Sequence, residues 1–356
     1  MAAELLISAD SHVSEAGDLW SLRLPAKFKD VAPVFPGRGF NDGRVAEGSG
    51  RFENKSGGWD SKERLKEMSV DGVSAEVLYP TSGLRLFGQD DPELQEACFR
   101  VYNDWLIEYC SVAPDRLLGI ACISVYDIDH GIAELERCKQ NGMKGALVWQ
   151  APHPDLPFTS QHYERFWASA QELEMPISMH ILTGHNYSKA GFGTRTGAES
   201  YRGSVNLKAF DAVTALFDMI FYGVLDRYPK LKLVIVENEV GWIPFFLQQW
   251  DYYYRRFHET NPPPISTKPS DYFYRQVFAT FFDDAAGGHN FSWWGLDNCM
   301  WSNDYPHPNS TWPHSRDTIA RDLGHLSDAD RTKLVCSNVA GLYGLDIEAL
   351  EPVGTN

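Results

Sequence analysis

The sequence lacks the features of membrane-spanning, nucleic-acid-binding and disulfide-stabilised proteins. None of its uninterrupted apolar runs approaches the roughly 20 residues of a transmembrane helix. Basic residues number 32 against 48 acidic ones, which gives a formal net charge of −16. Nucleic acids and anionic membranes are bound through basic patches, so this balance predicts neither as a main partner. The six cysteines are scattered without a Cys-x-x-Cys pair, which in a chain of 356 residues is typical of reduced thiols.

The first residues also lack the features of a secretory signal. The segment MAAELLISADSH has neither a basic region nor a long apolar stretch. Together with the cysteine pattern, this favours a cytoplasmic protein. A length of 356 residues suits one large domain, and we expect a single domain over residues 1–356.

Eight short apolar runs alternate with longer segments of helical periodicity. The runs lack strict alternation of apolar and polar residues, as expected of strands that are buried on both faces of a parallel sheet. They occupy residues 4–10, 74–80, 117–124, 145–150, 176–181, 232–238, 277–283 and 298–304. This order predicts an α/β fold, a (β/α)8 TIM barrel. The alternative, an open doubly wound sheet, usually carries a Gly-x-Gly-x-x-Gly loop after its first strand, and none follows here.

Two segments rich in glycine and polar residues interrupt this pattern. Residues 21–60 follow the first predicted strand, and residues 183–204 follow the fifth. Long irregular loops in enzymes often line or cover binding sites. In a barrel, both would lie at the carboxyl-terminal face, where active sites are built. We therefore interpret them as long loop insertions that border an active site.

Residues of metal-binding type stand at the ends of three predicted strands. Asp10 and His12 end the first strand, His180 ends the fifth and Asp304 ends the eighth. Strand residues two apart point to the same side, and the ends of parallel strands meet at one mouth of a barrel. Imidazole and carboxylate groups are ligands of Zn²⁺, Mn²⁺ and Fe²⁺. Any one of these residues could instead cap a helix or lie in the core, but together they indicate a metal site.

These residues lie within motifs that resemble a known family. The motifs are ISADSHVSEAGDLW, PISMHI, YPKLKLVIVENEVGWIP and WSNDYPHPNSTWPHS. They resemble the amidohydrolase-related family, the branch of the amidohydrolase superfamily that contains aminocarboxymuconate semialdehyde decarboxylase and the aromatic acid decarboxylases. The resemblance extends from residue 5 to residue 345, with the motifs in the expected order.

The resemblance implies a metal-dependent hydrolase or decarboxylase that acts on a small carboxylated or aromatic molecule. The family's metal ligands correspond to Asp10, His12, His180 and Asp304, and the divalent cation would be zinc or manganese. The metal would polarise a substrate oxygen or activate water. Asp304 would be the general acid and base, and His180 would be a second catalytic residue.

The sixth predicted strand departs from the family pattern. Decarboxylases of the family commonly carry a His-x-Gly-Gly-type motif there, whereas counting back from Pro244 places Asn238 at the histidine position. The neighbouring Glu237 is a candidate metal ligand that could bridge two metals, or it only holds its loop by hydrogen bonds. This leaves open a dinuclear Fe or Fe/Mn oxygenase on the same barrel. A further alternative is a non-catalytic barrel subunit that partners a catalytic homologue.

Four residues near the predicted mouth are candidates for substrate binding, namely His185, His307, Asn238 and Arg202. They could also be ordinary surface residues. The aromatic-rich stretch 241–257 predicts a helix that packs on the barrel and contributes to a subunit contact. We therefore expect a homo-oligomer, or a hetero-oligomer with a homologous chain.

Three further carboxylates follow predicted strands. Glu15 lies after the first strand, and Asp283 and Asp284 end the seventh. We interpret Glu15 as a residue that orients a ligand or caps a helix. Asp283 and Asp284 either orient loops or join the site.

Overall fold

The fold is a barrel of eight parallel strands. A computed structural model describes residues 4–35, 55–185 and 202–351 of the chain. The strands form one sheet in which each is hydrogen-bonded to the next, from β1 to β8. They are β1 (Leu6–His12), β2 (Val73–Tyr79), β3 (Leu117–Cys122), β4 (Gly145–Val148), β5 (Ile177–His180), β6 (Leu233–Val236), β7 (Val277–Phe281) and β8 (Cys299–Trp301). Each apolar run of the sequence forms one strand, so the predicted TIM barrel is confirmed.

Hydrogen bonds from the segment after β8 to β1 close the barrel. The backbone N–H of Asp304 donates to the carbonyl of Asp10 at 3.0 Å, and the N–H of His12 donates to the carbonyl of Tyr305 at 2.6 Å. The N–H of Asn303 donates to Ser8 Oγ at 2.9 Å. Two segments that are far apart in sequence, both carrying predicted ligands, are thereby held side by side.

Helices cover the outside of the barrel. They are α1 (Leu19–Arg23), α2 (Ser61–Asp71), α3 (Pro92–Cys110), α4 (Ile128–Gln140), α5 (Glu164–Glu172), α6 (Ala209–Phe221), α7 (Val224–Arg227), α8 (Ile243–Phe257), α9 (Pro269–Gln276), α10 (Ala285–Asn290), α11 (Ser315–Leu323), α12 (Asp328–Thr332) and α13 (Asn338–Tyr343). Asp60, Asp91 and Asp127 each accept two backbone N–H groups at the start of α2, α3 and α4. These caps explain why the helices begin where they do.

Two stretches of helical periodicity in the sequence, residues 91–116 and 205–230, form shorter helices than that periodicity predicts. The pattern that continues to residue 116 ends as a helix at Cys110, before Pro114 can interrupt it. The segment from 205 to 230 is divided, because Gly223 takes a left-handed conformation with φ of 73° between α6 and α7.

The segment after β1 is partly built into the core. The predicted loop insertion, residues 21–60, begins within α1 and continues into a 3-10 helix over Ala26–Val31, with Phe28 and Phe35 buried. Residues 36–54 and 186–201 of the two predicted loop insertions lie outside the described residues. Within the described ranges, none of the helices is both long and apolar enough to cross a membrane.

Candidate metal centre

The residues predicted as ligands from β1, β5 and β6 lie together at the carboxyl ends of the strands. Asp10, His12, His180 and Glu237 each offer one ligand atom, and these atoms all lie within 4.8 Å of one another. The Nε2 atoms of His12 and His180 are 3.3 Å apart. Asp10 Oδ1 lies 3.5 Å from His12 Nε2, and Glu237 Oε2 lies 3.4 Å from His180 Nε2. Folding therefore brings ligand-type groups from three strands to one point.

A second group overlaps the first and adds the residues that follow β8. It consists of His12, Glu237, Asp304 and His307, again with ligand atoms within 4.8 Å of one another. Asp304 Oδ1 lies 3.5 Å from His12 Nε2 and 2.7 Å from His307 Nδ1. The ring centroids of His12 and His307 are 3.9 Å apart. We call the six residues of both groups the metal centre.

Backbone carbonyls orient the two innermost imidazoles. His12 Nδ1 lies 2.8 Å from the carbonyl of Pro80, and His180 Nδ1 lies 2.6 Å from the carbonyl of Ile181. A carbonyl only accepts, so each Nδ1 carries the proton. The lone pair on each Nε2 then faces the other ligand atoms, which is the arrangement of histidines that bind metals.

The surroundings of the Asp10 carboxylate are the clearest indication of a cation-binding site. Asp10 is fully buried, and neither of its oxygens accepts a hydrogen bond from any residue that the structure describes. A buried carboxylate that is not compensated costs much free energy. Two imidazoles and two to three carboxylates are a suitable set for Zn²⁺ or Mn²⁺, so the residues present fit a divalent metal ion.

The surroundings shift the pKa values of the two buried histidines in opposite directions. Burial lowers the pKa of His12 well below its usual value, and the charges of His307 and His180 act in the same direction. Burial also acts to lower the pKa of His180, but the negative charges of Asp10 and Glu237 raise it to about 9. The carboxylates therefore favour a positive charge at this point, which a bound cation would supply.

The loop after β6 holds Glu237 in an uncommon conformation. Glu237 and Glu239 have φ values of 56° and 54°, a region that few non-glycine residues occupy. Strand β7 and the loop after it support both: the N–H of Glu237 donates to Thr280 Oγ1 in β7 at 2.9 Å, and Glu239 Oε2 accepts the N–H of Phe282 at 3.2 Å. Asp284 Oδ2 accepts the N–H groups of residues 240 and 241 at 2.8 and 2.7 Å. Asp284 therefore orients a loop and does not join the metal centre.

A buried arginine that the sequence did not indicate forms a hydrogen bond to the last residue of β1. Arg64 is fully buried; its Nη1 donates to the carbonyl of His12 at 2.7 Å and its Nε to Glu76 Oε2 at 2.5 Å. Asn303 accepts from Ser11 Oγ at 2.8 Å. Arg64 lies in α2, where an arginine is ordinary, and nothing in that helix pattern distinguishes it from a surface residue.

The other candidate substrate-binding residues have separate surroundings. Asn238 is buried, and its Nδ2 donates to Gln150 Oε1 and to the carbonyl of Val236, both at 2.7 Å. His185 pairs with Asp90 and belongs to neither group of the metal centre. The side chain of Arg202 lies outside the described residues. The roles of these residues stay predictions.

Two of the remaining carboxylates are explained by local contacts. Glu15 accepts the backbone N–H groups of Ser82 at 2.8 Å and Gly83 at 3.0 Å, so it holds the turn after β2. Asp283 pairs with Arg321 on the surface. Neither residue lies in a group that could hold a metal.

Comparison with known proteins identifies the family. The family model described as amidohydrolase matches residues 51–345, and the chain belongs to this family. Gamma-resorcylate decarboxylase from Rhodococcus jostii is 29% identical over 309 residues, which cover 80% of this chain and 87% of that protein. An enzyme of the same name from a Polaromonas species is 25% identical over 309 residues, with the same coverage. The predicted class, an enzyme of the amidohydrolase superfamily, is confirmed.

Solved structures agree on the fold. An amidohydrolase from Mycobacterium avium subsp. paratuberculosis superimposes with a TM-score of 0.76 at 20% identity, covering 96% of this chain and 99% of that one. A dihydroxybenzoic acid decarboxylase from a Polaromonas species superimposes with a TM-score of 0.69 at 21% identity, covering 97% and 98%. That structure contains manganese and the inhibitor 2-nitroresorcinol.

Proposed function

We propose that this chain is a metal-dependent decarboxylase of a small aromatic carboxylate and that its metal is manganese or zinc. The buried Asp10, whose oxygens accept no hydrogen bond from described residues, carries the proposal of a metal. The gamma-resorcylate decarboxylases, similar over most of both chains, support decarboxylation as the reaction. The manganese in the Polaromonas structure supports the choice of metal.

The metal centre contains groups for binding and for proton transfer. When bound, the cation would supply the positive charge that holds the oxygens of the substrate. Asp10, His12 and His180 would hold it through the carboxylate and the two Nε2 atoms. Asp304 and His307, 2.7 Å apart, can share one proton.

The reaction needs one proton at the ring carbon that bears the carboxylate. Asp304 would deliver it as the general acid. The bond between the ring and the carboxylate then breaks, its electron pair remains with the ring, and carbon dioxide leaves. His307 would return a proton to Asp304, so that a carboxylate and a proton give the arene and CO₂.

Asn238 offers a contact for a hydroxyl group on the substrate. Its Oδ1 is buried and accepts no hydrogen bond from the described residues, while Gln150 and Val236 fix the direction of its amide. A phenolic hydroxyl could donate to this oxygen. Arg202 and His185 stay candidates for contacts to the substrate carboxylate.

Decarboxylation is tested directly with the purified chain reconstituted with Mn²⁺. We expect it to release CO₂ from 2,6-dihydroxybenzoate or 5-carboxyvanillate, the substrates named for similar structures. Asp304→Asn should abolish turnover while much of the metal stays bound. Asp317→Asn, which changes an exposed carboxylate in the same part of the chain, is the matched control. If a fully metal-loaded chain releases no CO₂ from any hydroxybenzoate, the proposal is wrong.

One observation favours a second candidate, the dinuclear Fe or Fe/Mn oxygenase. The two groups of the metal centre share His12 and Glu237, so Glu237 lies where it could bridge two metals. Asn238 also stands where decarboxylases of the family commonly have histidine. Two metal equivalents that contain iron, together with substrate-dependent oxygen uptake, would favour this alternative.

We further propose a cytoplasmic homo-oligomer. Helix α8 exposes Phe245, Tyr252, Tyr253 and Phe257, which supports a subunit contact on this face. Light scattering of the purified chain tests the assembly. Co-purification of a homologous chain, combined with inactivity of this chain alone, would instead support the non-catalytic partner subunit.

A further inference from the structure

A third group of ligand-type residues lies at the carboxyl ends of the strands and shares no residue with the metal centre. It consists of Asp90, His153 and His185, each of which offers one ligand atom within 4.8 Å of the others. Asp90 lies between β2 and α3, His153 follows β4 and His185 follows β5. Three different loops of the barrel mouth therefore meet at this point.

The backbone brings the two histidines together. Beyond the ends of β4 and β5, Ala151 and Gly184 form a parallel bridge, and the N–H of His185 donates to the carbonyl of Ala151 at 3.0 Å. This bridge extends the pairing of the two strands into their loops. As a result, the rings of His153 and His185 meet edge to face with centroids 4.2 Å apart.

His185 is left with a polar atom that lacks a partner. Its Nε2 lies 2.7 Å from Asp90 Oδ1, and because a carboxylate accepts, Nε2 is the donor. Neutral His185 then has a bare lone pair on Nδ1. His185 is 2% exposed, and Nδ1 is buried with no hydrogen-bond partner in the described part of the chain. Buried polar atoms are nearly always satisfied, so this nitrogen indicates a missing ligand.

We propose that Asp90, His153 and His185 form a second metal site, which binds Zn²⁺ or a similar transition-metal ion. The two imidazoles would bind the ion, His185 through Nδ1, and Asp90 would orient His185 by accepting the N–H of its Nε2. Imidazole nitrogens suit such ions, whereas Ca²⁺ and Mg²⁺ prefer oxygen ligands. In this structure, His153 Nδ1 accepts the N–H of the exposed Asp155 at 3.1 Å. A metal bound at this nitrogen would have to replace that one hydrogen bond. Water would complete the coordination. A metal held here ties the loops after β2, β4 and β5 to one another.

Equilibrium dialysis of the metal-free chain against Zn²⁺, with zinc counted by mass spectrometry, tests the proposal. The wild-type chain should bind one more zinc per chain than either His153→Gln or Asp90→Asn. Added Zn²⁺ should also raise the unfolding temperature of the wild type more than that of these variants. Two variants are used because Asp90 is largely exposed, so its substitution leaves folding intact even if that of His153 does not.

The matched control is His130→Gln, which removes a histidine that pairs with Glu96 at 3.0 Å on the surface. It should bind as much zinc as the wild type. His180→Ala should lose zinc from the metal centre and keep the zinc at this second site, so failure of the proposed function and failure of this inference are distinguishable. Equal zinc binding by the wild type, His153→Gln and Asp90→Asn would overturn the inference.

Discussion

Substitution of Arg64 by methionine should destabilise the chain strongly, although Arg64 belongs to neither group of the metal centre. The guanidinium is fully buried and bonds Glu76 and the carbonyl of His12. Arg64→Met leaves the Glu76 carboxylate buried without its partner. Removal of one member of a buried ion pair typically costs about 3–5 kcal/mol. The loss of the bond to His12 should also weaken metal binding, because that carbonyl belongs to a proposed ligand.

The cost should depend on pH. Burial raises the pKa of Glu76 above its ordinary value of 4.5, while the charge of Arg64 lowers it, so removing Arg64 raises the pKa further. A carboxyl whose pKa is raised by folding stabilises the folded chain most below its unfolded pKa and less as the pH rises towards the folded pKa. The penalty of Arg64→Met should therefore be small at low pH, where Glu76 is protonated in both chains. It should grow by up to about 1.4 kcal/mol per pH unit above the folded pKa of Glu76 in the wild type, where only the variant still holds the proton.

Denaturant unfolding of the metal-free chain, followed by tryptophan fluorescence from pH 5 to 8, measures this free energy. Arg23→Met is the control, because Arg23 forms a comparable pair with Glu108 at 2.9 Å on the surface. Such exposed pairs contribute about 0–1 kcal/mol. The double variant Arg64→Met/Glu76→Gln should lose less stability than Arg64→Met alone. A loss below about 1 kcal/mol in Arg64→Met at pH 8, or a loss that does not change with pH, would refute the reasoning.

Two further predictions concern the loop after β6. If Glu237 is a ligand, Glu237→Gln should reduce metal affinity by at least about tenfold, because an amide is a weaker ligand than a carboxylate. An unchanged affinity in metal-competition titrations would show that Glu237 only holds its loop. Asp284→Ala should cost about 1–3 kcal/mol in unfolding free energy, because residues 240, 241 and 287 lose the acceptor of their N–H groups. Asp284→Ala should also weaken metal binding by displacing Glu237. Asp283→Ala, which alters a surface pair, is its control. Equal losses of unfolding free energy in both variants would contradict the assignment of Asp284 to orienting the loop after β6.

The barrel and the positions of the first candidate ligands were predictable because local sequence patterns specify them. Strands buried on both faces appear as short apolar runs, and parallel strands place their ends at one face. Asp10, His12, His180 and Asp304 were therefore placed together from the sequence. The helix ends were less predictable: the division at Gly223 depends on a single left-handed residue.

Contacts between distant segments decided the rest of the metal centre. The sequence left open whether Glu237 faces the other ligand-type groups. Its placement depends on a left-handed φ that Thr280 in β7 and Asp284 after β7 support. His307 and His185 were equal candidates for substrate binding, but tertiary structure pairs His307 with Asp304 and His185 with Asp90.

The sequence by itself thus determined the architecture and the mouth at which ligands collect, because burial and strand ends are encoded by the types and spacing of neighbouring residues. Only the tertiary structure decided that Arg64 supports β1 and that Asp90, His153 and His185 converge. These contacts join residues tens of positions apart, and no local pattern of hydrophobicity or charge specifies which polar side chains will meet once the barrel has closed.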